Sequence, residues 1–283
     1  MNINSIIGFS IAFLVFYFGI FENAASPELF LDTSSIIIVV GGTMATFFII
    51  FPLKKISDLF DFFFLKVIFK SRRTDIKVAK NILSLFFDKD VQQELSRDKK
   101  KYHPFLVESI YLVKKNNFSA NELNSILSER IQLVKKAYSE DSNMLTILAK
   151  FPPAFGLLGS VTGIISMMTG LGEGGAEKIG PAMAVTLVTT FWGIAIANLI
   201  LLPLADHAHK AVQEETHTRN MIKAAMLSIH LKNNSSFLLE TLLSFIPIRE
   251  RYRLKDYYED HIAKNRSIIS THSSSRTPQR KSS

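Results

Sequence analysis

Four blocks of almost uninterrupted apolar residues run along the chain, at roughly 3–21, 33–52, 151–171 and 181–204. Each is close to the ~20 residues that a helix needs to cross the hydrocarbon of a bilayer. Their interiors hold no Lys, Arg, Asp or Glu, and Glu22, Asp32 and Asp206 stand at the edges. Between the blocks the pattern turns amphipathic. Ile76, Ala79, Ile82, Leu83 and Phe86 recur at helical spacing within 74–101, with charges between them. Pro104 biases His103 away from helix and marks a break before a helix over 104–115. A further helix over 119–141 opens on Ser119 with Glu122 three residues on, a capping box, and carries Leu123, Ile126, Leu127, Ile131 and Val134 on one face. Its far end leads toward the third apolar block. Residues 205–232 are again helical in pattern.

This pattern predicts an all-α membrane protein of four transmembrane helices. A large helical cytoplasmic loop separates the second and third spans, and a cytoplasmic helical segment follows the fourth. The expected parts are spans one and two with a short outer turn (1–52), a loop domain (53–150), spans three and four (151–204), a C-terminal helical segment (205–266) and a polar, disordered tail (267–283). The first block has no basic residue before it and a long apolar stretch, so it reads as a retained helix rather than a cleaved signal peptide. The stretch 56–70 is too charged to span. It fits either a helix lying along the membrane interface or one covering the loop domain's core.

Charge sets the orientation. Of 33 Lys and Arg residues, 19 fall in 53–150 and 13 in 205–283, while the turn at 22–32 has none. The basic stretches flanking the spans (Lys54, Lys55, Lys150 and Lys210) assign both termini and the large loop to the cytoplasm. The net charge of +8 therefore reflects contact with anionic lipid rather than nucleic acid, since no basic region is interleaved with base-stacking aromatics. The absence of cysteine removes disulfides and thiolate metal sites. No nucleotide, zinc or hydrolase motif is present, so no enzymatic activity and no cofactor are expected.

The candidate chemistry lies in the last two blocks. Gly156, Gly159 and Gly163 share one face of the third span, where small residues let helix backbones approach. Ser160 on that span and Thr186, Thr189 and Thr190 on the fourth suggest a polar seam, although each hydroxyl also suits a bond to its own helix. Pro153 suits the first turn of a helix. Pro203 fits a kink or a helix stop near the end of the fourth span. Asp32 suits a helix N-cap and equally an anion that draws cations to an outer entrance. His207 and His209 lie two apart and do not share a helix face, so they read as a solvated surface rather than a metal pair. Neither apolar body contains a side chain that can carry a proton. If ions pass here, another subunit supplies the charge. A self-contained transporter is disfavoured, because such proteins hold their own ionisable group near the midplane and show an internal repeat.

The stretches Leu31-Asp-Thr-Ser-Ser-Ile-Ile-Ile-Val-Val-Gly-Gly42, Tyr102-His-Pro-Phe105, Pro153-Ala-Phe-Gly156 with Gly-Ser-Val-Thr-Gly163, and Ile179-Gly-Pro-Ala-Met-Ala184 through Ala197-Asn198 and Leu202-Pro203 resemble the MotA/PomA family of flagellar stator subunits. That family sits within the wider MotA/TolQ/ExbB group. The resemblance covers about residues 1–230, and two spans before the large loop resemble the motor branch more than TolQ or ExbB.

It implies a homopentamer around two copies of a MotB/PomB-type partner that carries the ion-binding aspartate, in the bacterial inner membrane. Flow of H+ or Na+ would then drive torque on the rotor protein FliG. The alternative it leaves is an ExbB/TolQ-like energiser of outer-membrane transport. By the same resemblance Ser160, Thr189, Thr190 and Asp32 belong to the ion path, and Pro153 and Pro203 couple ion passage to loop movement. Lys89, Glu94 and Arg97 are candidates for rotor contact, in a region where phenylalanine stands near the expected arginine.

Overall fold

The computed structural model describes residues 30–62, 75–87, 101–115, 117–172 and 176–274, together with positions 7, 8, 10, 11, 14, 15 and 17–19 of the first apolar block. All regular structure among them is helical. Among the described residues, three helical stretches are long and apolar enough to cross a membrane, within Thr33–Ile50, Ala120–Gly170 and Ile179–His230. They cover nearly all of the second and third blocks and the whole of the fourth. The first block lies largely outside the described residues.

The described residues fall into two compact units, one within 1–70 and 136–212 and the other within 71–135 and 213–283. Both α5 (Ala120–Leu148) and α8 (Leu202–His230) give part of their length to each unit. The residues 136–150 and 205–212, assigned by sequence to the cytoplasmic parts, thus belong to the unit that contains the spans.

In that unit, α1 (Thr33–Ile50) widens to a π-helical stretch at Ile37–Gly41. The short α2 (Leu53–Phe62) follows a break at Phe51-Pro52. Its Ile56 and Leu59 are buried against Phe47 of α1, Met144, Leu145 and Leu148 of α5, and Ala205, Ala208 and Val212 of α8. The described part of 56–70 therefore packs on a cluster of the unit that contains the spans, not on the loop domain's core that one of the two readings expected. Residues 63–70 lie outside the described residues. Lys55 pairs with Glu140 at the exposed rim, and this contact holds the Glu140 carboxyl below its ordinary value.

Helix α6 (Phe151–Gly172) and α7 (Ala176–Ala195) form the principal packed pair. After α7 the backbone runs through a π-helical stretch, Ile196–Leu201, straight into α8. Pro203 does not stop this helix. The N–H of Leu202 reaches back to the Ala197 carbonyl, so the wider turn ahead of Pro203 spreads the disruption that a missing proline donor brings.

The second unit contains α3 (Asp75–Phe87), α4 (Pro104–Lys115), the first part of α5, the last part of α8, α9 (Ser235–Phe245) and α10 (Arg251–Ser274). Ile76, Ala79, Ile82 and Leu83 of α3 and Leu123, Leu127 and Ile131 of α5 are buried with Phe105, Leu106, Met221, Ile222, Leu238 and Leu242. The two apolar stripes read from sequence meet in this one core. The capping box is formed: Glu122 accepts from the Ser119 backbone N–H at 2.8 Å, and the Glu122 N–H donates to the Ser119 hydroxyl at 3.3 Å. The Ser119 donors hold the Glu122 carboxyl below its ordinary value. The pattern read over 74–101 is described as helix only for 75–87. In the other direction, α10 is described as far as Ser274, past the Ser267 boundary expected for a disordered tail.

Candidate functional site

The glycines of the third span lie against the fourth. A Cβ built on Gly159 would meet Thr189 Cγ2 at 2.1 Å, one on Gly163 would meet Thr186 Oγ1 at 2.2 Å, and one on Gly193 would meet the Pro152 carbonyl at 2.6 Å. The backbones of α6 and α7 therefore touch, as packing without a hydrophobic drive between helices requires. Gly42 of α1 plays the same part against the ring of Phe155. Large side chains of these helices point away from the contact: Leu157, Ile165 and Leu187 are exposed on the single chain.

Within this contact lies a cluster of oxygens. The Ser160 hydroxyl is within hydrogen-bond reach of the Thr186 carbonyl at 2.7 Å, the Gly156 carbonyl at 3.0 Å and the Thr190 hydroxyl. Thr190 also reaches the Thr186 carbonyl at 3.2 Å, and Thr186 donates to the Ala182 carbonyl at 2.9 Å. Ser160 is buried and Thr190 half-buried. Every group here is neutral, and every one presents oxygen. Such a cluster suits water or a hard cation stripped of part of its hydration, and it has no group that takes up a proton.

Thr189 stands apart from this cluster. One residue along a helix turns the side chain by about 100°, and Thr189 points to α1, where its hydroxyl donates to Ser35 at 3.0 Å. It is fully buried. Asp32 is the N-cap of α1 and accepts from the Ser35 N–H at 2.7 Å and the Ser35 hydroxyl at 2.6 Å. The start of α1 is held to α7 at a second point as well, where the Trp192 indole N–H donates to the Phe30 carbonyl at 2.6 Å. Ser35 was not among the residues read as functional. Its signal was the hydroxyl three residues after an N-cap aspartate.

Pro153 is in the first turn of α6 and half-buried, beside a buried Pro152 whose carbonyl meets Gly193. Pro203 is the second residue of α8, immediately after the π-helical stretch. Lys89, Glu94 and Arg97 lie outside the described residues.

His209 corrects the reading of a solvated surface. Its Nδ1 lies 3.0 Å from the Ser142 hydroxyl and its Nε2 lies 3.1 Å from the Thr146 hydroxyl, so both ring nitrogens are used against α5. Among the described residues no group of three or more His, Asp or Glu is placed to hold a metal. The second unit has its own buried polar knot. His103 Nε2 is 3.3 Å from Glu215, which also accepts from Arg219 Nε at 2.9 Å. Because the Phe105 N–H donates to His103 Nδ1 at 3.2 Å, Nε2 is the ring nitrogen left to donate to Glu215. The Tyr102-His-Pro-Phe105 stretch is thus a pinned helix entry, with Arg219 stacked over the Phe105 ring.

The sequence model of the MotA/TolQ/ExbB proton channel family matches residues 78–221, which takes in the oxygen cluster, the α6–α7 glycine contact, α5 and most of α8. The chain belongs to this family. It is 26% identical over 260 residues to Motility protein A of Borreliella burgdorferi, covering 90% of this chain and 97% of that one. It is 28% identical to Motility protein A of Aquifex aeolicus, over 83% of this chain and 92% of the other. Its fold is similar to a chain of the flagellar MotAB stator complex from Bacillus subtilis, with a TM-score of 0.76 at 20% identity, over 88% of this chain and 98% of that one.

Proposed function

We propose that this chain is the channel-forming subunit of a flagellar motor stator, coupling flow of H+ or Na+ across the bacterial inner membrane to torque on the rotor. The observation that carries this reading is the α6–α7 contact: lined with oxygen, closed to large side chains and free of ionisable groups from Ile179 to Leu204, in a chain of a proton channel family. Such a wall offers a cation oxygen ligands but no charge to bind it and no site for a proton. A MotB/PomB-type partner supplies that charge, a carboxylate, from its own membrane helix. The likeness to proteins called Motility protein A over nine-tenths of this chain supports that choice of partner.

The remaining parts follow from the same reading. Five copies surround two partner helices, both termini are cytoplasmic, and charged residues of the basic loop meet FliG. Pro153 and Pro203, at the start of α6 and just beyond the π-helical end of α7, transmit the ion-driven movement of the α6–α7 pair to the helices that continue from it. The second reading, an ExbB/TolQ-like energiser, is supported less, since two apolar blocks precede the basic region here.

The test is complementation of a stator-less motile host with this chain and a one-span partner. Pro153→Ala and Thr190→Ala are expected to impair swimming while leaving membrane insertion intact, and normal swimming in both removes the channel assignment for these positions. Loss of speed on sodium withdrawal, or on addition of a protonophore, identifies the ion.

A further inference from the structure

We propose that Ser35 is a positioning residue: it fixes the charge of Asp32 at the head of α1 and makes that charge answer to the position of α7. Three hydrogen bonds carry the inference. The Ser35 N–H and the Ser35 hydroxyl both donate to one oxygen of Asp32, Oδ2, at 2.7 and 2.6 Å. The Ser35 oxygen in turn accepts from Thr189 of α7 at 3.0 Å. Ser35 and Thr189 are both fully buried, so water does not replace either partner. Asp32 is half-buried, and its second oxygen, Oδ1, has no partner among the described residues. Among the described residues, one carboxylate oxygen is pinned and the other is not.

The bookkeeping of hydrogens gives the device its sensitivity. A threonine hydroxyl has one hydrogen, and Thr189 stands within reach of two acceptors, the Ser35 hydroxyl and the Val185 carbonyl of its own helix. While Thr189 donates to Ser35, the Ser35 hydrogen is directed to Asp32, and each bond in such a chain polarises the next. The Val185 carbonyl is the nearer of the two acceptors, so the approach of α7 to α1 decides how far the Thr189 hydrogen supports Ser35, without breaking either helix. An ordinary N-cap needs only the side-chain oxygen and a backbone N–H. The buried hydroxyl pair reaching a different helix goes beyond capping.

This proposal rests on the stator reading for its functional readout, and the experiment separates the two. With the one-span partner present, rotation speed is measured against the concentration of the coupling ion. Ser35→Ala and Thr189→Val are each expected to raise the half-saturating ion concentration about three- to tenfold, the range set by the net worth of one hydrogen bond, with maximal speed retained. The double variant is expected to add little to either single change, as members of one chain do, and Ser35→Thr restores the wild-type curve.

In parallel, the infrared carboxylate band lost in Asp32→Asn is followed in the purified complex. It should shift in Ser35→Ala and in Thr189→Val but not in Thr46→Val, which removes a hydroxyl of α1 bonded to the Gly42 carbonyl. An unmoved Asp32 band in both variants overturns the proposal whether or not the complex turns a motor. A shifted band with no ion-driven rotation in the wild type keeps the positioning role and overturns the stator reading. A shifted band with unchanged ion dependence overturns the claim that the positioned charge serves the entrance.

Discussion

In the unit of 71–135 and 213–283, the side chains driven fully inside are large: Phe105, Leu106, Ile82, Leu83, Met221 and Leu242. In the unit that holds the spans, the inner contact of α6 with α7 is made by Gly156, Gly159, Gly163 and Gly193, and large residues such as Leu157, Ile165 and Leu187 face out. The same twenty residue types are sorted in opposite senses because the solvents differ. Water rewards burial of apolar area by roughly 25 cal/mol per Å². Hydrocarbon does not, so helices there are held by close backbone approach and by hydroxyls bonded inside the contact.

The comparison can be broken most sharply at Phe105. Phe105→Ala is expected to cost the second unit about 3–5 kcal/mol, since the ring is fully buried and Arg219 loses its stacking partner. Thermal unfolding of the purified protein checks this, and a shift of under a degree would mean that this core is not held by apolar burial. Next in size is Gly193→Ala, which adds a single methyl to the membrane contact. The new carbon meets backbone atoms, which do not swing aside as a side-chain end does. A destabilisation of about 1–3 kcal/mol follows, read as lost resistance to unfolding in mild detergent. An alanine tolerated there would show that α6 and α7 do not touch. The smallest effect is a gain. Lys232, two residues past the end of α8, has a positive φ of 54°, and Lys232→Gly relieves a left-handed conformation worth about 1 kcal/mol. A raised melting temperature for the glycine variant is the expected result.

Much of this arrangement was legible in the residues because it depends on local periodicity. The apolar blocks, the stripes of α3 and α5, the Ser119–Glu122 box and the packing role of the glycines all follow from spacings of three and four along one helix. Lys89, Glu94 and Arg97 lie outside the described residues, and the first apolar block is described only in part.

The amino-acid order by itself determined which segments suit lipid and that no carboxylate lies inside the two spans with hydroxyls. What it left open was the partner of each polar group. Thr189 and Thr190 are neighbours in the chain, yet one meets Ser35 and the other Ser160. His209 was read as solvated and instead bridges Ser142 and Thr146. Pro203 fitted a kink or a stop, and the helix runs on through a widened turn. At Pro203 the deciding term is a backbone bond within the helix; for the threonines and His209 it is a hydrogen bond whose geometry depends on how one helix is rotated against another. That rotation is set by the fit of whole surfaces, so only the folded chain fixes it.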